Sequence, residues 1–293
     1  MAEKKTNVLL LIDSNALIHR FFHALPPFTA PDGSPTNAIY GLSNTLLKVI
    51  TEQKPDYIAA SLDTPEPTFR DKEYAEYKAK RAETSSELIP QLKKAPSVYE
   101  AFSLRSFAVP GFEADDLIGT FVEMFKDEPD LKIVILSGDR DVLQLVEGEK
   151  VVGQLFKTGI TETVIYDEKA VIEKFGLKPK QLPDYKGFVG DTSDNIKGIV
   201  GVGPKTAEIL LKEFPTIEEV YENIAIITPK IAKKIEGRKE EAIFSRRLAT
   251  IRRDAPVGVS DLASLKVPPL DKEKLKTFFQ SLGFKSLIEK LEK

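Results

Sequence analysis

The sequence predicts an α/β fold, with a mainly parallel central sheet flanked by helices and a helical C-terminal subdomain. Three observations carry this reading. Three short apolar runs lack alternation, as strands buried on both faces do. Segments of helical periodicity separate them, which is the pattern of a parallel sheet. From about residue 178 onward the strand signals fade.

The apolar runs are NVLLLID (7–13), DYIAASLD (56–63) and LKIVILSGDRD (131–141). Between them, AIYGLSNTLLKVITEQ (38–53) and DLIGTFVEMFKDE (116–128) repeat apolar residues at helical spacing. Beyond 178, PKQLPDYKGFVG, GPKTAEILLKEF, IEEVYENI, EEAIFSRRLATIRR and DKEKLKTFFQSLGF read as short helices joined by loops. The expected division is an α/β core over 1–177 and a helical subdomain over 178–293.

Composition narrows the chemistry. The 293 residues are 42% hydrophobic and 30% charged, an ordinary globular balance. The run VLLLI (8–12) is far too short for a membrane span or a signal-peptide core. No cysteine occurs, which removes disulfides, thiolate zinc sites and cysteine nucleophiles. His19 and His23 are the only histidines, too few to build a metal site. The expected setting is cytoplasmic, away from membranes. A hard cation here must be held by carboxylates, which suits magnesium or manganese.

Each predicted strand runs into aspartate: Asp13, Asp63, then Asp139 and Asp141. Ligand sites in open α/β sheets lie at the carboxyl ends of the strands. GFEADDLIGT (111–120) adds Glu113, Asp115 and Asp116 where a helix begins. One acid suffices to cap that helix and oppose its dipole, whereas three repel each other. VGDTSDNIKG adds Asp191 and Asp194, which share a face if a helical turn forms. Any one of these acids alone reads as a cap or a turn residue; together they read as one site. So many carboxylates cannot converge without cations. Two divalent ions roughly 4 Å apart resolve the repulsion and clamp the attacking and leaving oxygens of phosphoryl transfer. With no histidine or cysteine nucleophile, metal-activated water is the natural attacker, so phosphodiester or phosphomonoester hydrolysis is expected.

The segment TFRDKEYAEYKAKR (68–81) places Arg70, Tyr74, Tyr77, Lys78 and Arg81 on one face of a predicted helix. Cations meet phosphates and rings stack on unpaired bases; the competing reading is a solvated helix whose tyrosines pack on the core. GIVGVGPKTAEILLKEF (198–214) has Gly201 and Gly203 before a helix, then Lys205 and Thr206. Such a turn can approach a phosphate, although it matches neither a Walker loop nor a dinucleotide fingerprint. Setting the nine acids aside moves the formal net charge from -3 to +6, which is compatible with binding DNA.

Taken together, LLLIDSNALIHRFFHALPP, FRDKEYAEYKAKR, VPGFEADDLIGT, GDRDVLQLV and GDTSDNIKGIVGVGPKTAEILL resemble the 5′-nuclease (5′→3′ exonuclease) domain of bacterial DNA polymerase I, of the flap endonuclease family. FSRRLATIRRDAPV and FFQSLGFKSL extend the resemblance over essentially the whole chain. It implies cleavage of 5′ flaps and 5′→3′ removal of nucleotides from nicks and RNA primers, with two divalent metals. It further implies that Asp13, Asp63, Glu113, Asp115, Asp116, Asp139, Asp141, Asp191 and Asp194 form the metal centre. Residues 68–104 would form a helical arch that admits the 5′ strand. There Lys78 and Arg81 would stabilise the scissile phosphate, and Tyr77 would stack on or orient a nucleotide. Arg20 matches a further phosphate-contacting position, and Arg70 and Tyr74 belong to the same basic-aromatic face. A helix-turn-helix over about 184–214 would hold duplex backbone through Gly201, Gly203, Lys205 and Thr206, with a potassium ion. A monomer is expected, acting with a DNA polymerase in cis or in trans.

Four positions depart from the family pattern. Pro204, Lys197 and Arg140 stand where glutamate, proline and lysine are usual, and none removes a ligand. Pro96 predicts a break in the second arch helix near Ala95. Competing readings are weaker. A haloacid-type phosphatase needs aspartate two residues after Asp13, where Asn15 stands. A PIN-class RNA nuclease would not require nine acids or the glycine turn. A catalytically inactive DNA-junction module would show decay among the acids, and none is seen.

Overall fold

A computed structural model describes residues 6–292 except 158 and 161. In chain order the elements begin with β1 (Asn7–Asp13), α1 (Ser14–Ala24), α2 (Asn37–Lys48), β2 (Tyr57–Ser61), α3 (Phe69–Glu73), α4 (Ile89–Ala101) and β3 (Arg105–Phe107). They continue with α5 (Ala114–Phe125), β4 (Leu131–Ser137), β5 (Val151–Phe156), β6 (Thr163–Tyr166), α6 (Glu168–Phe175) and α7 (Leu182–Val189). Then follow α8 (Pro204–Glu213), α9 (Ile217–Glu222), α10 (Pro229–Ile235), α11 (Lys239–Ala249), α12 (Lys272–Ser281) and α13 (Lys285–Glu292).

The sheet order is β3-β2-β1-β4-β5-β6. Every pairing is parallel except β5 with β6. β1 lies between β2 and β4 in a register that brings Asp13 beside Ser61 and Ile12 beside Leu136. The carboxyl ends of these three strands are therefore level, which sets the site. Alternate residues of β1 face opposite ways. Leu10 and Ile12 join one core with α1, α2, α4, α12 and α13. Leu9 and Leu11 join a second core with α5 and the segment around Ile251–Leu265. A third core, built on Phe188, Leu210, Leu211, Ile217, Val220 and Ile235, holds the later helices together.

The three expected strands are present, and β3, β5 and β6 extend the sheet. The strands also end earlier than the apolar runs suggest. β2 stops at Ser61 and β4 at Ser137, so Asp63 and Asp139 sit on the following loops and Asp141 opens a short 3-10 helix, all beyond the strands. Residues 178–293 do not form one helical unit. From Ile251 the chain returns to the α/β part, and Leu275, Phe279, Leu282, Phe284, Leu287 and Leu291 complete the first core.

Two expectations about the arch are corrected. The helix predicted over 68–81 ends at Glu73, after which the chain turns, with Lys78 in the left-handed region at φ 53°. The break expected at Pro96 does not occur, because α4 runs through it. Ala95, Val98, Tyr99 and Ala101 are buried against the first core, so tertiary packing outweighs the one backbone hydrogen bond that proline cannot donate.

Candidate metal centre

At the level ends of β1, β2 and β4 lies a cleft of about 780 Å³. Asp13, Asp63, Glu113, Asp115, Asp139, Asp141, Asp191 and Asp194 all line it. Six of these acids arise from strand ends and helix starts in the α/β part or the loops beside it. Asp191 and Asp194 come from the short hairpin of residues 190–191 and 196–197 between α7 and α8.

The nearest acids to the sheet are fixed by backbone. Asp13 caps α1 by accepting from Ala16 N at 3.0 Å, and Ser137 Oγ donates to its other oxygen at 2.7 Å. Burial nevertheless raises its carboxyl to about 7, since these donors only partly compensate. Asp63 accepts from Ala114 N at 2.7 Å, which ties the β2 loop to the start of α5. Asp139 accepts from Asp141 N at 2.9 Å. Burial, reinforced by Asp139, raises the Asp141 carboxyl even though Lys186 opposes it.

Glu113 is the N-cap of α5. Its Oε1 accepts from Lys78 Nζ at 2.5 Å, and its Oε2 from Tyr77 Oη at 3.1 Å and Arg70 at 3.2 Å. Asp194 accepts from Arg81 at 2.6 Å and from Tyr77 Oη at 3.2 Å. Burial works against the charge on Lys78 and Arg81, but Glu113 and Asp194 outweigh it and raise both. Tyr77 is itself buried, so it reaches the acids through its hydroxyl and does not offer an open ring for stacking.

Two observations test whether a divalent cation fits. Asp115 Oδ1 is buried and has no hydrogen-bond donor. Burial, with Asp116 and Glu113 added and Arg70 opposing, pushes its carboxyl well above the usual range. Such an oxygen is costly unless a cation meets it. On the far side, carboxylate oxygens of Asp141, Asp191 and Asp194 lie within 4.8 Å of one another. An all-oxygen donor set of this kind fits a hard divalent ion.

Asp116 departs from the expectation. It is fully buried, does not line the cleft, and accepts from Arg70 through both oxygens at 2.8 Å. Arg252 N and Glu113 N also donate to it. Its carboxylate is thus saturated by protein donors and anchors α5 from behind. Arg70 is likewise corrected. Only 2% exposed, it bonds Asp116, Glu113 and the carbonyls of Leu248 and Thr250, so it presents nothing to a surface ligand. Tyr74 packs edge-on against Phe244 and donates to Glu76, away from the cleft.

Arg20 lines the cleft while its Nε donates to Gly159 O at 2.8 Å. Gly201, Gly203, Lys205 and Thr206 lie outside the cleft, at the start of α8. Gly201 has φ 86°, and its carbonyl accepts from Lys234 at 2.6 Å. Sequence reasoning missed Lys186, whose Nζ bridges Asp141 and Asp191. The available signal was a lysine within the apolar-flanked DYKGFVGD, just before the acidic turn. Burial pushes Asp191 up, but Lys186 and Ser193 outweigh it and hold it at about 2.

These shifts set a pH dependence. Asp13 rises from 3.8 to about 7 on folding, so between those values the folded metal-free protein holds a proton that the unfolded chain has lost. Its stabilising contribution is present below about 4 and disappears as pH rises through about 7. Metal-free stability should therefore fall over that window, as followed by denaturant midpoints. Adding magnesium near pH 6 should release protons, so the calorimetric enthalpy should vary with buffer ionisation enthalpy; buffer-independent heats would contradict this.

A mainly parallel α/β sheet with a carboxylate-lined cleft at its strand ends, completed by the short β-hairpin between α7 and α8, defines a metal-dependent nuclease. A family model described as the 5′-3′ exonuclease N-terminal resolvase-like domain matches residues 8–176, and one described as the 5′-3′ exonuclease C-terminal SAM fold matches 177–273. The chain belongs to the 5′-3′ exonuclease family. It is 41% identical over 285 residues to DNA polymerase I of Caldicellulosiruptor bescii, covering 97% of this chain and 33% of that protein. To DNA polymerase I of Bacillus subtilis it is 37% identical over 292 residues, covering 99% and 33%. The chain thus spans about a third of the length of these curated relatives. Among solved structures, a zinc-bound T5 5′-exonuclease shares the fold at TM-score 0.70 and 21% identity, over 83% of this chain and 89% of that one. A T5 D15 flap endonuclease complex with DNA and metal ions aligns at TM-score 0.68 and 20% identity, over 97% and 99%. The Rad2 catalytic core with DNA substrate aligns at TM-score 0.64 and 15% identity, over 94% and 87%. Among the described residues no helix is long and apolar enough to cross a membrane.

Proposed function

We propose that this chain is a structure-specific 5′ nuclease of replication and repair. It cuts DNA at 5′ flaps and removes nucleotides 5′→3′ from nicks and RNA primers, using two magnesium or manganese ions. The observation that carries the reading is the single cleft that gathers eight acids while placing Lys78 and Arg81 at its wall. Divalent cations bound there supply charge neutralisation and an activated water. Lys78 and Arg81, ion-paired to Glu113 and Asp194, are placed to exchange those partners for the scissile phosphate and stabilise its developing charge. The Tyr77 hydroxyl bonds the same two acids, which suits it to keeping them in register while a strand enters.

Arg20 serves as a further phosphate contact from the other side of the cleft. The helix pair α7 and α8, with Gly201, Gly203, Lys205 and Thr206 and a potassium ion at the turn, holds duplex backbone. The proposed division places the catalytic core and its arch within 1–177 and the duplex-holding helices beyond it. A monomer in the cytoplasm, working beside a DNA polymerase in cis or in trans, fits this role.

The test is cleavage of a labelled 5′-flap substrate with and without magnesium. Product that forms equally well in excess chelator would sink the reading. Lys78→Ala should slow cleavage by about 10²–10³-fold with little change in duplex affinity by fluorescence anisotropy. An equal loss in both would reassign Lys78 to binding.

A further inference from the structure

The two halves of the cleft are charged differently. On the Asp115 side Lys78 pairs with Glu113, but one buried oxygen of Asp115 itself has no donor, so a cation that meets this oxygen displaces nothing from it. On the opposite side Lys186 already stands in a cation's place. It sits near the C-terminal end of α7, and its Nζ donates to Asp141 and, at 2.5 Å, to Asp191 Oδ2. Ser193 N and Oγ occupy Asp191 Oδ1 at 2.8 and 2.5 Å, so the ammonium takes the oxygen that the protein leaves open. Asp141 and Asp191 are also two of the three residues whose oxygens converge within 4.8 Å.

We propose that Lys186 is the resident counter-ion of this half of the cleft, and that its ammonium must leave Asp141 and Asp191 before a divalent cation can bind them. The inference rests on the reading that the carboxylates hold divalent ions. Its physical basis is competition. One ammonium bridging two carboxylates relieves their repulsion in the metal-free protein, and the same two bonds are lost on metal entry. The flexible four-carbon stem lets the ammonium withdraw without moving α7. Loading is therefore ordered: the Asp115 side fills first, and the Asp141–Asp191 side fills against Lys186. The same lysine lowers affinity for the second cation and keeps the metal-free site from opening under its own charge.

The experiment is calorimetric titration of manganese alone, without DNA, into the wild type, Lys186→Met, Lys186→Arg and the double variant Lys186→Met/Asp191→Asn. Lys186→Met should bind the weaker of the two ions at least about tenfold more tightly, while its metal-free form melts at lower temperature. Lys186→Arg should keep wild-type affinity, and the double variant should lose the gain. Unchanged or weaker affinity in a folded Lys186→Met protein overturns the inference and leaves the nuclease reading standing. Absence of manganese binding in every protein, wild type included, overturns both. Should Lys186→Met fail to fold, the wild type decides. The Lys186 ¹⁵Nζ resonance should shift with the second equivalent of magnesium and not the first; a shift with the first, or none, overturns ordered loading.

Discussion

Asp115→Asn is expected to abolish metal-dependent cleavage while stabilising the metal-free protein. Wild-type Asp115 carries a buried oxygen without a donor, next to Asp116 and Glu113. Asparagine removes the negative charge and brings an amide that can donate to neighbouring acids. The repulsion stored there falls, so the melting temperature without metal should rise. The cation loses an anionic ligand, so magnesium should no longer stabilise the fold. For wild type at about one hundred times its dissociation constant, that stabilisation is about 2.7 kcal/mol. The paired readout is a thermal melt with and without magnesium beside a flap-cleavage assay. Magnesium stabilisation of wild-type size in Asp115→Asn would remove this residue from the metal centre.

Gly190→Ala should have a comparable effect on activity through geometry alone. Gly190 has φ 75° and ψ −175°, a conformation open essentially to glycine. A Cβ there would lie 2.5 Å from both Gly198 N and Ile196 O. Gly198 reciprocates, since its own Cβ would meet Val189 O at 2.4 Å. Two glycines thus let the backbone cross itself directly beneath Asp191 and Asp194. Alanine costs about 1–3 kcal/mol in strain and must shift the hairpin, and a displacement near 1 Å lowers turnover about 10²-fold. Gly258 provides the control, because it too has a left-handed φ of 65° but its Cβ would meet nothing within 4 Å, and it lies outside the cleft. Gly258→Ala should retain wild-type turnover, and equal loss in both variants would show that the crossing is not the cause.

Much of the architecture was legible because strand burial writes itself into uninterrupted apolar runs. β5 and β6 were not. VVGQLF is broken by Gly153, which approaches Leu143 closely, and by Gln154, while TVIY is a short, half-exposed edge. The acids of the site were legible as a set, since strand ends converge in an α/β sheet. Their individual orientations were not all read. Adjacent helical residues point about 100° apart, so Asp115 and Asp116 cannot both face one cleft, and the pair divides between cleft and core. The arch misled for a related reason. Assigning Arg70, Tyr74, Tyr77, Lys78 and Arg81 to one face required an unbroken helix, and the left-handed turn at Lys78 has no glycine to announce it. Lys186 left little trace because a lysine within a short helix ordinarily faces water.

The return of the chain after Ile251 has a consequence for biosynthesis. Leu275, Phe279, Leu287 and Leu291 complete the core that holds α1, α2 and α4, and Ile251, Ala255, Val257 and Leu265 the core that holds α5. Arg70, in α3, takes two of its acceptors from Leu248 and Thr250. While a ribosome is still making the later helices, the α/β portion has its strands with α1, α2, α4 and α5 against them, but each core still lacks the apolar side chains supplied after Ile251. Its apolar faces then remain open to chaperones or to other nascent chains. The two cores fill only when the segment after Ile251, with α12 and α13, has left the exit tunnel.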